Sequence, residues 1–169
     1  MKLNKLFLCG LSIASIIFVL DIWTKRFAFA KVDAFNIKTG GAYNYIKVTN
    51  FLNISRVMNT GVSFGLFQNI KYGQIFLSIV TFALICYLFV SLWYNTTKYL
   101  TFVYSIIIGG GLGNLYDRIV YGGVFDFIDF HYNSWHYPSF NLADSFICIG
   151  VFLLAILEFK EWKRKKPEK

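Results

Sequence analysis

Charged side chains are scarce in this chain. They make up 15% of its 169 residues, while 56% of the residues are hydrophobic. A typical soluble domain carries about 25% charged residues. Carboxylates are especially sparse: none occurs between Asp33 and Asp117, and all three glutamates lie in the C-terminal tail. This composition excludes an ordinary water-soluble domain and indicates a single integral membrane domain over residues 1–169.

Cysteines are also few. Cys9, Cys86 and Cys148 each lie in a different apolar segment. That spacing suits neither a disulfide framework nor a metal site. We interpret all three as small side chains buried in the membrane, and the sequence predicts no metal and no other cofactor.

The net charge of +8 is distributed unevenly. Six of the seventeen basic residues lie at positions 160–169, directly after an apolar run. A basic cluster at the end of a membrane span is typical of a cytoplasmic anchor. Zinc spacing and an alternation of aromatic and basic residues, both typical of nucleic-acid binding, are missing. We therefore predict membrane lipids, and no nucleic acid, as partners.

Four apolar segments have the length of a membrane span, which needs about 20 mostly apolar residues. They lie at about residues 6–24, 74–94, 99–116 and 140–157. The sequence therefore predicts an all-α membrane protein with four transmembrane helices. An even number of spans puts both termini on one side, and the basic cluster predicts that this side is the cytoplasm.

The first apolar segment also has features of a cleavable signal peptide. Lys2 and Lys5 precede it, and residues 28–30 (Ala-Phe-Ala) imitate a cleavage site. Three charged residues, Asp21, Lys25 and Arg26, lie between the apolar run and that site. Because a signal peptidase binds this stretch, the charges favour a retained span.

The connection between the first two spans holds about fifty residues. Within it, residues 43–57 mix tyrosine, isoleucine, valine and phenylalanine with polar side chains, a composition typical of short strands. We therefore expect a small extracytoplasmic region containing β-structure between spans one and two.

Several aspartates lie in or beside the predicted spans. Each ionisable group at membrane depth costs about 2.5–3.5 kcal/mol on insertion scales, so it is a candidate functional residue. Asp126 follows the third span, and Asp144 lies one turn into the fourth. Since these spans are consecutive, the two carboxylates are near the same membrane face and can converge.

Four sequence blocks, in order, carry a resemblance to a known family. They are residues 21–25 (DIWTK), 59–64 (NTGVSF), 110–118 (GGLGNLYDR) with 124–127 (VFDF) after it, and 140–144 (FNLAD). Together with the four-span frame, they resemble the lipoprotein signal peptidase family, signal peptidase II, over nearly the whole chain. The second block has Val-Ser after Gly61, where the family often has two alanines; this small change does not affect the assignment.

The resemblance implies an aspartyl endopeptidase of the bacterial inner membrane, with its active site near the extracytoplasmic face. Its substrates would be prolipoproteins that carry diacylglycerol on a cysteine, cut just before that cysteine. Asp126 and Asp144 would be the catalytic dyad. Such a pair suits the chemistry, because two close carboxylates share one proton and can supply both a base and an acid.

The resemblance also implies supporting residues. Asn114, Arg118 and Asn141 match positions that support the dyad and contact substrate, although Arg118 could equally be an interfacial anchor. Asn59 matches a residue of the substrate-facing loop, and its alternative is an ordinary turn.

Two further features favour structural roles. Asp21 and Lys25 are an i,i+4 pair with the acid first, which predicts a salt bridge. In the family this pair holds the frame of the active site. Gly109 and Gly113 form a small-xxx-small pattern, which predicts close helix packing.

Other functions are compatible with parts of the pattern. The two aspartates could form the proton relay of a small transporter, but four spans without an inverted repeat argue against it. A non-enzymatic scaffold would not require carboxylates that are costly to insert. His131 and His136 lie in a loop with Asp126 and Asp129, so a metal site there is a minor alternative.

Overall fold

The computed structural model describes residues 5–61, 72–95 and 97–165, so part of the second sequence block, residues 62–64, lies outside the described residues. In the described part, two helices each lead into a pair of strands and then a further helix. In chain order the elements are α1 (Lys5–Thr39), β1 (Tyr45–Lys47), β2 (Leu52–Asn59), α2 (Gly73–Tyr94), α3 (Lys98–Tyr121), β3 (Val124–Tyr132), β4 (Trp135–His136) and α4 (Leu142–Lys165).

Three of the helices are long and apolar enough to cross a membrane: α1, α2 and the Leu142–Arg164 part of α4. Helix α3 is not among them, because four glycines and several polar side chains dilute its apolar character. The chain is therefore mostly helical with three candidate spans, and the predicted span at residues 99–116 stays a prediction.

Helix α1 is much longer than the predicted first span. It continues without interruption to Thr39, whereas the apolar segment ends near Thr24. The charge of Lys25 does not end the helix, because this side chain is buried against acidic partners. Ala28 and Val32 then continue the buried face of the helix.

Helix α3 lies at the centre and packs against the other three helices. Its glycines allow close approach: a Cβ atom at Gly109 would lie 2.7 Å from the carbonyl oxygen of Ala14 in α1, and one at Gly110 would lie 2.7 Å from that of Ala143 in α4. A Cβ at Gly113 would overlap the Asp21 side chain. The close packing predicted from the small-xxx-small pattern is thus present.

Polar residues are buried inside the helix cluster, while large apolar side chains face outward. Helix α3 buries Thr101, Ser105 and Asn114. In α2 and α4, by contrast, Ile79, Phe152 and many similar residues are exposed. This arrangement suits a lipid environment, because apolar surfaces of this extent mark membrane or protein contacts.

The small sheet differs from the prediction. Strands β1 and β2 do lie between α1 and α2, as expected, but β3 and β4 come from the connection between α3 and α4. All neighbours are antiparallel, in the order β1-β2-β3-β4. Residues 124–132, treated as a loop in the sequence, form a strand because their aromatic and β-branched side chains suit a half-buried sheet.

Local backbone features position Asp126 within this sheet. Gly122 ends α3 with φ of +72°, a left-handed conformation that glycine adopts readily at helix ends. Strand β3 begins two residues later. A register shift in β2 between Ile54 and Val57 then places Val57 opposite Asp126.

Candidate active site

Two aspartates from different elements meet at one small cavity. Asp126 lies in β3 and is only 2% exposed, whereas Asp144 lies in the first turn of α4 and is partly buried. Both line a cavity of about 100 Å³. Asn59, Asn114 and Arg118 also line it, so the structure brings together five of the residues singled out in the sequence.

Helix α4 begins with a reciprocal cap that holds Asp144. The Asn141 side-chain oxygen accepts from the Asp144 backbone N–H at 2.9 Å, and an Asp144 carboxylate oxygen accepts from the Asn141 backbone N–H at 3.1 Å. This is the logic of a capping box, in which residues three apart satisfy each other's free donors. The pairing fixes the Asp144 carboxylate at the start of the helix.

Amide donors engage all four oxygens of the two carboxylates. For Asp126, Oδ1 accepts from Asn141 Nδ2 at 2.7 Å and Oδ2 accepts from Asn59 Nδ2 at 3.0 Å. For Asp144, Oδ1 accepts from Asn114 Nδ2 at 2.7 Å, and the second oxygen is the one in the cap. These donors orient the carboxylates without adding charge.

The environment of Asp126 favours its protonated form. Burial raises the pKa of Asp126 to about 7, and the nearby Asp144 carboxylate acts in the same direction. Hydrogen bonds from Asn59 and Asn141, and the charge of Lys25, act in the opposite direction but are weaker than burial. A carboxyl that exchanges its proton near neutral pH is suited to acid–base chemistry.

A fully buried ion triad lies behind the cavity. Lys25 Nζ is 2.6 Å from Asp21 Oδ2 and 2.8 Å from Asp117 Oδ2, and it donates to Asn114 Oδ1 at 3.0 Å. None of the three charged side chains is more than 1% exposed. The predicted Asp21–Lys25 pair is therefore present, and it has a second carboxylate as partner.

The triad also holds the backbone beside each cavity aspartate. Asp21 Oδ1 accepts from the Ala143 N–H at 2.9 Å, and Asp117 Oδ2 accepts from the Phe125 N–H at 3.2 Å. Ala143 and Phe125 are the residues that directly precede the two cavity aspartates in the chain. One lysine therefore links the strand that carries one carboxylate to the helix that carries the other.

The sequence assigned no role to Asp117. Asp117 lies three residues after Asn114, and residues three apart on a helix face the same side. This spacing could have predicted that Asp117 lies near the cavity. Its pairing with Lys25 could not be read from that spacing alone, since the two residues belong to different helices.

The guanidinium group of Arg118 lines the cavity. Its Nε is buried without a hydrogen-bond partner among the described residues, and its Nη1 donates to the Asn114 carbonyl oxygen at 3.5 Å. Asn59 serves two purposes, because its side-chain oxygen also accepts from the Gly61 N–H at 2.9 Å. The turn that was the alternative interpretation of Asn59 is therefore present together with a hydrogen bond to Asp126, and a contact with substrate stays a prediction.

Asp129 and the two histidines form a separate cluster on the sheet. Asp129 accepts from Asn53 Nδ2 at 2.8 Å and lies 2.8 Å from His136 Nδ1. The ring of His131 stacks on that of His136, with centroids 5.2 Å apart. Within residues 5–61, 72–95 and 97–165, no three histidine, cysteine or acidic side chains gather in a way that could hold a metal ion.

The fold matches that of bacterial membrane enzymes of known structure. One such structure superposes with a TM-score of 0.73 at 28% sequence identity, covering 95% of this chain and 93% of the other. A second gives a TM-score of 0.71, also at 28% identity, covering 90% of this chain and 93% of the other.

The sequence places the chain in one family. The family model of signal peptidase (SPase) II matches residues 13–160. The lipoprotein signal peptidase of Alteromonas mediterranea is 36% identical over 163 residues, which are 92% of this chain and 83% of that protein. That of Rickettsia conorii is 38% identical over 168 residues, 99% of this chain and 82% of the relative. The chain belongs to the signal peptidase II family, a family of aspartic-type membrane peptidases.

Proposed function

We propose that this chain removes signal peptides from prolipoproteins that carry diacylglycerol on a cysteine, cutting just before that cysteine. Asp126 and Asp144 form the catalytic dyad. The observation that carries the proposal is their shared cavity, in which amide donors engage every carboxylate oxygen. Membership of the signal peptidase II family supports the substrate class.

The dyad works with one shared proton. Because the pKa of Asp126 is raised to about 7, Asp126 holds this proton near neutral pH. Asp144 accepts a proton from the attacking water, while protonated Asp126 donates a hydrogen bond to the scissile carbonyl oxygen. The water oxygen bonds to the carbonyl carbon and forms a tetrahedral intermediate. When the carbon–nitrogen bond breaks, a proton passes from the dyad to the leaving nitrogen of the cysteine.

The surrounding residues position the dyad and the substrate. Asn59, Asn114 and Asn141 hold the carboxylates, and the Lys25 triad holds the two backbones that bear them. Arg118 contacts the substrate peptide, since its guanidinium lines the cavity and its Nε has no hydrogen-bond partner among the described residues.

The enzyme is a single domain with four spans in the bacterial inner membrane, and α3 is the third span. Both termini face the cytoplasm, and the dyad lies near the extracytoplasmic face. The location of the dyad in β3, which follows α3, and at the start of α4 supports this arrangement. The outward apolar faces contact membrane lipids. The basic C-terminal cluster contacts lipid headgroups, and nucleic acid is not a partner.

A cleavage assay with a diacylglyceryl-modified precursor tests this function. The full chain in detergent should release the signal peptide, and Asp126→Asn and Asp144→Asn should each lower the rate by roughly a thousandfold or more, because the two groups act as a unit. The matched control is Asp33→Asn, which changes a half-exposed aspartate outside the cavity. Near-normal turnover by either dyad variant contradicts the assignment.

A further inference from the structure

A larger cavity lies on the sheet beside the dyad. It has a volume of about 390 Å³, and all four strands contribute to its lining. The residues that matter for the argument are Tyr45 of β1, Ser55 and Val57 of β2, Asp129 of β3, His136 of β4, and Ser139. We call this cavity the sheet groove.

The sheet groove adjoins the dyad cavity. Ser139 lines both cavities, and its hydroxyl oxygen lies 3.4 Å from that of Ser55 in the groove. Val57, another groove residue, is the cross-strand neighbour of Asp126. A chain bound across the dyad can therefore continue directly into the groove.

Both cavities beside the dyad have largely apolar walls, but they offer different polar groups. On the α4 side, a cavity of about 260 Å³ is lined by Asp144 and Ser145 and by apolar residues that include Phe140, Ile147 and Cys148. In the sheet groove, the hydroxyls of Ser55 and Ser139, the Asp129 carboxylate and the His136 imidazole lie among the apolar walls. These groups can form hydrogen bonds with the backbone and the small polar side chains of a peptide that leads away from the lipidated cysteine.

The dimensions of the groove fit a short extended segment. Crossing from β1 to β4 covers three interstrand spacings, or about 14 Å. An extended chain advances about 3.3 Å per residue, so the groove accommodates roughly four residues.

We propose that the sheet groove binds the residues that immediately follow the lipidated cysteine, held in an extended conformation. This inference rests on the proposed function and assigns a subsite to it. The groove makes the enzyme select precursors in which this segment is unfolded and narrow enough to lie across the sheet.

Two synthetic substrates separate this inference from the proposed function. They share the same signal peptide and diacylglyceryl cysteine, but one ends at the cysteine amide and the other continues for four small polar residues. The full chain should cleave the longer substrate with a kcat/KM about tenfold higher, mostly through a lower KM. Equal values for the two substrates overturn the groove but leave the proposed function intact. Cleavage of neither overturns both.

A matched pair of variants locates the effect. Val57→Trp fills the groove and should bring the ratio of the two kcat/KM values close to one. Val48→Trp makes the same change at a valine of similar exposure that does not line the groove, and it should keep the tenfold ratio. Loss of the ratio in both variants contradicts the assignment. A Val57→Trp variant that keeps the tenfold ratio also contradicts the assignment. If this variant at the same time loses binding to anionic lipid vesicles, the groove is a site for lipid headgroups instead.

A cross-linking measurement on the unaltered chain makes the test independent of how the variants fold. A benzophenone placed three residues after the lipidated cysteine should cross-link to the strands that line the groove. Cross-links confined to α2 would overturn the inference.

Discussion

Replacing Lys25 by methionine removes the single positive charge of the buried triad. Methionine keeps much of the length of the lysine stem, so the change acts mainly on charge and hydrogen bonding. It leaves Asp21 and Asp117 without their cation and removes a donor to Asn114. All three charged groups of the triad are almost fully buried, so water cannot replace the lost partner.

The expected loss of stability follows from this burial. Removing one partner of a buried ion pair destabilises a protein by about 3–5 kcal/mol. For a chain of this size each kcal/mol lowers Tm by about 2–4 °C, so we expect a fall of roughly 6–20 °C. Because the triad also holds the Ala143 and Phe125 backbones, the dyad should shift, and a misplacement of about 1 Å lowers the rate about a hundredfold.

Thermal unfolding of the detergent-solubilised protein measures the effect, with Arg56→Met as the matched control. Arg56 pairs with Asp33 at 3.5 Å, and both side chains are about half exposed, at 52% and 48%. An exposed pair contributes about 0–1 kcal/mol, so the control should lower Tm by at most about 4 °C.

A further variant distinguishes charge from packing. Adding Asp21→Asn and Asp117→Asn to Lys25→Met removes the unpaired charges, and neutral replacements of buried ion groups are often well tolerated. This triple variant should regain a large part of the lost Tm. The electrostatic account of the triad is wrong if Lys25→Met lowers Tm by no more than the control variant does. It is also wrong if the triple variant is no more stable than Lys25→Met alone.

Three other outcomes are expected. The rate of cleavage should fall above about pH 7, where the proton of Asp126 is lost, and a rate that stays flat into strongly alkaline pH would refute the shared proton. Asn59→Ala should move this fall in rate to a pH about one unit higher, because it removes a hydrogen bond that stabilises the charged Asp126 carboxylate. Chelators should leave the rate unchanged, and activity lost to a chelator and restored by zinc would revive a metallopeptidase. With the native cysteines removed, a cysteine at Lys38 should react with an impermeant maleimide from outside and one at Lys160 should not; the reverse pattern would invert the topology.

Much of the helical frame was predictable because its signals are local. Segments 74–94 and 140–157 coincide closely with α2 and with most of α4, since long apolar runs need no tertiary information. The candidate dyad was conspicuous for a related reason. In a chain with few carboxylates, each one beside a long apolar segment stands out, and two consecutive helices bring their adjoining ends together.

The sheet was harder to predict because its pairing is distant along the chain. Asn59 and Asp126, which the β2–β3 pairing brings into hydrogen-bonding contact, are 67 residues apart. The aromatic and β-branched residues of the segment that begins at Val124 are a strand signal, but nothing local identifies β2 as the partner. The extension of α1 was missed for a similar reason. In the sequence, the charge of Lys25 indicates the end of a span, and its buried partner Asp117, on another helix, is known only from the structure.

The division of the dyad between a strand and a helix explains why so much polar structure is buried around it. Two carboxylates on one helix would be held at a fixed distance by the helix itself, whereas Asp126 and Asp144 depend on how β3 packs against α4. Tertiary packing alone tolerates small shifts, but hydrogen bonds of 2.6–3.2 Å restrict them. The path from Phe125 through Asp117, Lys25 and Asp21 to Ala143 therefore fixes the position of β3 relative to the start of α4, which no continuous helix backbone does here. It also gives a reason for a charged network in a setting where each ionisable group is costly.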